Sequence, residues 1–286
     1  MSDLIRISIV IPADCPEDLE TADGVLALAV PFGWEEESLP DGSVRLRVHT
    51  DNPAFCEQVL ASLRAGLPRA EITRDSVPDT DWTLAWRDFF TPVPCGTHFM
   101  VIAPWMTDTV DLQGRTPIVI EPKTAFGTGH HPTTALCLGS VSELAASGRI
   151  RAGLRFLDLG TGSGILAIGC AKLGLTGVAT DIDMLAVENA EENRVINAVA
   201  PAIDVRLGST EAAQGERYDV VLANILAQPL KDLAPDILAL LAPNGCLVLS
   251  GLLAVQADGV EAAYTSLGMP SARRRVEGEW AALIWE

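Results

Sequence analysis

Apolar positions along the first 75 residues come in short blocks that change rhythm. Residues 4–12 (LIRISIVIP) read as a strand, and residues 44–48 alternate apolar with basic side chains, as a half-exposed strand does. Residues 18–30 are compatible with a helix. Residues 53–63 predict another, with Asn52 as N-cap and Pro53 in the first turn. Residues 69–75 suggest a third strand. This β-α-β-α-β order points to a small split-βαβ domain of the ferredoxin-like kind. Farther on the pattern becomes a regular alternation. Strands are expected at 99–103, 118–121, 155–159, 177–181, 203–207, 218–223, 245–250 and 281–285, with helices at 132–147, 164–173, 184–198, 227–241 and 254–267. That order predicts a doubly wound, Rossmann-like α/β sheet.

Between the two lies 76–94 (SVPDTDWTLAWRDFFTPVP), rich in Pro and Asp, with Trp82, Trp86, Phe89 and Phe90 at helical spacing. It reads as a connector with one short helix whose aromatics pack against a domain. The expected organisation is a front domain over 1–75, a linker over 76–94 and a larger domain over 95–286.

Composition narrows the function. The chain of 286 residues is 48% hydrophobic, enough for one large α/β domain and a smaller one. Its net charge of -18 disfavours a direct nucleic-acid substrate, because such a surface repels phosphates. Residues 1–92 hold seventeen acids against seven arginines, more than half of the acidic excess in a third of the length. That imbalance favours a front domain that meets something basic. The six cysteines form no CxxC pair, and Cys137, Cys170 and Cys246 sit within apolar patterns, so reduced, buried thiols are expected. The segment from Leu4 to Pro12 is short, carries Arg6 and runs into acids, unlike a signal peptide. No apolar run approaches the roughly 20 residues that span a bilayer. A cytoplasmic monomer without membrane contact is expected.

Three constellations carry chemistry. The run RFLDLGTGSGILAIG at 155–169 reads as a buried strand, a glycine turn and a helix, and VATDID at 178–183 as the next strand ending in an acid. Gly160, Gly162 and Gly164 allow a sharp turn and close approach to a ligand. Asp181, 21 positions after Gly160, can accept hydrogen bonds from ribose hydroxyls. The dehydrogenase pattern GxGxxG would need glycine at 165, which is Ile165, so a nicotinamide oxidoreductase is the weaker alternative. The second constellation is YDVVLANIL at 218–226, whose strand ends at Asn224, at the edge where such sheets bind ligands. The third is EPKTAFGTGHHPTTALCL at 121–138. Its glycines suggest a lid, and Pro132, Thr133 and Thr134 suit a helix first turn. A metal site from His130, His131 and Cys137 is disfavoured, since adjacent histidines point apart and no carboxylate spacing supports it.

Taken in order, AFGTGHHPTT, DLGTGSGILAI, DID, NILA and LSGLL resemble the methyltransferases that modify large ribosomal subunit protein eleven, over about 80–286. GxGxG with Asp158 two positions earlier is similar to class I S-adenosylmethionine methyltransferases in general. The lid and the NIL corner make the resemblance specific. It implies a front domain that recognises this basic protein, and a catalytic domain that trimethylates its lysines and N-terminal amine with S-adenosyl-L-methionine. It also implies cofactor contacts by Thr134, Gly160, Gly162, Asp181 and Asn224, with Phe126 packed nearby. Asn224 would orient the acceptor amine, with no dedicated catalytic base. Lys123 and Thr124 before the lid, and Met184 after DID, depart from the family pattern. A lysine methyltransferase for another basic protein shares all of these catalytic features. Methylation of several sites implies a connector that lets the two domains reorient.

Overall fold

The computed structural model describes residues 4–15, 18–19, 21–22, 25–26, 30, 34–39, 41–50, 52–67, 70–77, 91–121 and 131–286. The chain divides into two compact units, 1–90 and 91–286. Most of the connector, including Trp82, Trp86, Phe89 and Phe90, lies outside the described residues, as does the lid segment 122–130.

In the first unit, strands β1 (Leu4–Ile11), β2 (Glu35–Ser38), β3 (Val44–Thr50) and β4 (Glu71–Val77) form a sheet in the order β2-β3-β1-β4. Every pairing is antiparallel. This is the ferredoxin-like order, with one strand more than the pattern predicts. The sequence of β2, EEES, has no apolar residue to announce it. It is held by pairing with β3 alone, as an edge strand.

Alternation gives the sheet two unlike faces. Ile7, Ile9, Ile11, Leu46 and Val48 turn into a core with Cys56, Val59, Leu60 and Leu63 of helix α1 (Pro53–Gly66). Ala22 and Leu26, in residues that are helical, join this core. Asn52 caps α1, its side chain accepting from the Ala54 and Phe55 N–H groups at 3.0 and 3.1 Å. On the other face the acids belong to the edge strands and the arginines to the central ones. Glu37 meets Arg45 and Arg47 at 3.1 and 2.8 Å, and Asp75 pairs with Arg6.

The second unit holds two sheets. Strands β5 (Val93–Cys95), β6 (Phe99–Ile102) and β7 (Thr116–Val119) make a small one in the order β5-β6-β7. The expectation that the strands near 99 and 118 extend the large sheet is thus corrected. Phe99, Val101, Ile118 and Ile120 instead pack in one core with the helices α2 (Pro132–Ala146) and α3 (Ile165–Lys172). A Cβ added at Gly169 of α3 would press on Leu138 of α2 at 2.8 Å and just touch Ile118 and Phe99. The buried Ser142 hydroxyl accepts from the Thr97 and His98 N–H groups at 3.0 and 3.2 Å, fastening the small sheet to α2.

The large sheet has seven strands: β8 (Arg155–Leu159), β9 (Thr176–Asp181), β10 (Ile203–Leu207), β11 (Tyr218–Asn224), β12 (Leu241–Leu253), β13 (Arg273–Glu277) and β14 (Trp280–Trp285). Their order is β10-β9-β8-β11-β12-β14-β13. All pairings are parallel except those of β14 with β12 and β13. Successive residues of one strand enter opposite cores. Phe156, Val220, Leu222 and Val248 lie with α2 and α3, while Leu157, Leu159, Val221, Ala223, Leu247 and Leu249 lie in the other cluster. That second layer contains α5 (Ala227–Asp232), α6 (Ala234–Leu240) and α7 (Ala257–Thr265). The helix α4 (Met184–Ile196) follows β9. The single helix predicted over 227–241 is two. Pro235, in the first turn of α6, lacks the N–H that a continuous helix would need.

Candidate active site

The order of the large sheet creates a crevice. From β8 the chain steps outward to β9 and β10, then crosses to the other side for β11 and β12. The C-terminal ends of β8 and β11 are therefore the switch point where ligands bind in such sheets. Leu159 pairs with Thr180 on one side and Ala223 on the other, so Gly160, Asp181 and Asn224 are the next residues on three adjacent strands. With strands about 4.8 Å apart, Asp181 and Asn224 flank the glycine turn.

The turn from β8 to α3 has Gly160, Gly162 and Gly164 at φ of +71°, +56° and +82°. Two interactions fix its shape from below. The Gly160 and Thr161 N–H groups both donate to the Thr180 carbonyl at 2.9 Å. The fully buried Asp158 accepts from the Thr161 hydroxyl at 2.6 Å and from the Ala167 N–H at 3.0 Å. Burial pushes the Asp158 carboxyl up to about 6, against the pull of these two hydrogen bonds. Asp158 thus braces the turn from inside.

Asp181 is half-buried at the end of β9. One carboxylate oxygen accepts from Gly162 N–H at 2.9 Å and the other from Asp183 N–H at 3.1 Å. Each oxygen keeps further acceptor capacity. Beside it Ile182 is 79% exposed, an apolar side chain at the rim of the crevice that the sequence pattern did not single out. Leu207, paired with Asp181 at the end of β10, adds a second exposed apolar side chain.

On the other side, Asn224 Nδ2 approaches the buried Thr134 hydroxyl at 3.4 Å, joining the end of β11 to the first turn of α2. Asn224 Oδ1 is buried and has no hydrogen-bond partner among the described residues. Asn224 is also one of the residues lining a cavity of about 230 Å³, with His131, Thr133, Ile225, Leu226, Gly251 and Trp280. None of these is a carboxylate. His131 stands edge-on to Trp280, with ring centroids 4.5 Å apart, and its Nδ1 lies 2.7 Å from the Thr133 hydroxyl. Ile225 is clamped between glycines: a Cβ at Gly160 would come within 2.3 Å of its side chain, and one at Gly251 within 2.3 Å of its carbonyl oxygen.

Of the residues singled out in the sequence, Gly160, Gly162 and Asp181 gather around one turn, and Thr134 meets Asn224. Phe126 and His130 lie outside the described residues. Among the described residues, no three His, Cys, Asp or Glu side chains are grouped as a metal site. Sequence reasoning passed over Asn193 and Asn197, buried on α4 or at its C-cap. Their signal was present: three asparagines, 189, 193 and 197, at four-residue spacing on one face of a helix, where apolar residues would ordinarily stand.

A seven-stranded sheet of this order, with the glycine turn, the strand-end acid and the strand-end asparagine on one edge, defines a Rossmann-like methyltransferase. The chain belongs to the ribosomal protein L11 methyltransferase family, whose model matches residues 35–286. It is 40% identical over 238 residues to the ribosomal protein L11 methyltransferase of Parasynechococcus marenigrum, covering 79% of this chain and 81% of that one. With the Rhizobium etli enzyme of the same name it shares 37% over 257 residues, 88% of this chain and 86% of the relative. The crystal structure of a ribosomal protein L11 methylase from Lactobacillus delbrueckii subsp. bulgaricus superimposes with a TM-score of 0.61 at 30% identity, over 68% of this chain and 97% of that one.

Proposed function

We propose that the protein transfers methyl groups from S-adenosyl-L-methionine to lysine side chains and the N-terminal amine of ribosomal protein L11. The observation that carries this reading is the buried Asn224 Oδ1, without a partner among the described residues, on a side chain that lines a cavity with no carboxylate among its described lining residues. The residues present fit the cofactor. Asp181 keeps acceptor capacity for two ribose hydroxyls, the glycine turn brings backbone close, and Ile182 offers an apolar surface for the base. Gly160, Gly162 and Thr134 complete the binding set, with Asn224 beside the reactive end. When bound, the cofactor supplies an electrophilic methyl group on a sulfonium.

The protein's own task is to present a neutral amine. A lysine amine has a reference pKa of about 10.4, and desolvation lowers it, while a nearby carboxylate would raise it. Apolar walls of Ile225, Leu226 and Trp280 favour the neutral form, so the amine sheds its proton to water on entry. Asn224 Oδ1 then accepts one N–H of that amine and directs its lone pair. Alignment replaces a dedicated base.

The front unit presents the substrate, and the connector over 76–94 lets different amines reach one site. The net charge of -18 supports a basic protein partner over a nucleic acid. The setting that fits is a cytoplasmic monomer without membrane contact. The test is methyl transfer from S-adenosyl-L-methionine to purified ribosomal proteins, read by intact mass. L11 should gain one methylene equivalent per methyl. Methylation of a different basic protein would move the substrate and keep the enzyme class, and no methylation of any would overturn the reading.

A further inference from the structure

We infer that Asn193 is a positioning residue for the cofactor turn. The inference rests on the cofactor reading above and assigns Asn193 a part in it. A turn with glycine at three of its five positions from 160 to 164 has little conformational preference of its own, so its neighbours decide its shape. Three side chains hold it. Asp158 takes the Thr161 hydroxyl, Asp181 takes the Gly162 N–H, and Asn193 takes the next group along. Its Nδ2 donates to the Ser163 carbonyl at 2.9 Å and to Asn189 Oδ1 at 3.1 Å. Its Oδ1 accepts from the Glu121 N–H at 3.1 Å, just past the end of β7. The side chain is fully buried.

One turn along the same helix face, Asn197 does a similar job without touching the glycine turn. Its Oδ1 accepts from the Val119 N–H at 2.9 Å, and its Nδ2 donates to the Val119 carbonyl at 2.6 Å. Strand β7 is an edge of the small sheet, and this carboxamide stands where the next strand's peptide group would. Both asparagines therefore tie β7 to α4, and Asn193 alone also ties it to the cofactor turn. The pair separates general loosening from positioning.

The experiment compares the full-length wild type with Asn193→Ala, Asn197→Ala and Asn193→Asp, well below their melting temperatures. Binding of S-adenosyl-L-homocysteine is measured by calorimetry, and kcat and KM with L11. Both alanine variants should melt earlier. Asn193→Ala should weaken binding about 10-fold, the scale of one lost buried hydrogen bond, with kcat at saturating cofactor within about 2-fold. Asn197→Ala should bind as wild type does. Asn193→Asp keeps the acceptor for Glu121 and loses the donor to Ser163, so it should bind as weakly as Asn193→Ala and serves if the alanine variant fails to fold. Equal affinity in wild type and both Asn193 variants overturns the inference. So does an equal loss in Asn193→Ala and Asn197→Ala, or tight binding by Asn193→Asp. A wild type without affinity overturns both this inference and the cofactor reading, so the two failures are distinguishable.

Discussion

The two sheets of this protein use polar residues in opposite ways. In the front sheet, polar side chains cover most of one face and satisfy one another across strands, as Glu37 does with Arg45 and Arg47. In the large sheet the central strands are buried on both faces, and their polar groups concentrate at the strand ends, where Asp158, Asp181 and Asn224 hold or face the crevice. A one-sided sheet can place charge anywhere along its open face. A two-sided sheet has only its ends on which to do chemistry. Substitutions at those ends should therefore cost far more than substitutions on the open face.

The largest effect expected is that of Gly160→Ala. It forces a side chain into positive φ and against Ile225, which Gly251 keeps from moving aside. Stability should fall by about 3 kcal/mol in urea titrations. Next comes Asp158, whose carboxyl burial pushes from an ordinary 3.8 up to about 6. The folded protein holds this proton more tightly than the unfolded chain between those values. Its contribution is thus complete below the lower value and lost as pH rises through the upper one, by up to about 3 kcal/mol. Asp158→Asn cannot titrate, so the stability of wild type minus that of the variant should fall between pH 4 and 7.

Asn224→Ala should cut kcat about 100-fold, the scale of losing one oriented polar contact at a reacting centre, and leave cofactor affinity within a few-fold. Full turnover with normal affinity would show that Asn224 does not orient the amine. The smallest effect belongs to the front sheet. Glu37→Gln should change stability by less than about 1 kcal/mol, and less still in high salt. A larger loss there would mean that the open face is as demanding as the strand ends.

The same contrast decides what the sequence reveals. Strands β8, β9 and β11 are legible because burial on both faces makes them continuous apolar runs, and the glycines after β8 mark the turn. Gly160, Gly162, Asp181 and Asn224 therefore stand out in the sequence, whereas a site role for Thr134 follows only from the family resemblance. Strand β2 is not legible, because Glu35, Glu36 and Glu37 owe their extended form to pairing with β3 rather than to burial. Strand β13 was missed for the same reason, opening as it does with Arg273, Arg274 and Arg275. Asn193 escaped because a buried asparagine on a helix looks like an exposed one until its partners, distant in sequence, are known.

All six cysteines, Cys15 and Cys56 in the front unit and Cys95, Cys137, Cys170 and Cys246 in the second, are buried thiols outside any disulfide. The chain consequently carries its own opening sensor. A thiol reagent should find almost nothing to modify in the native protein, and peptide mapping of slow labelling would report which unit breathes first. A single cysteine introduced on the surface could also be given a fluorophore or spin label without removing any native one, so its surroundings can be followed during turnover in the otherwise unaltered protein.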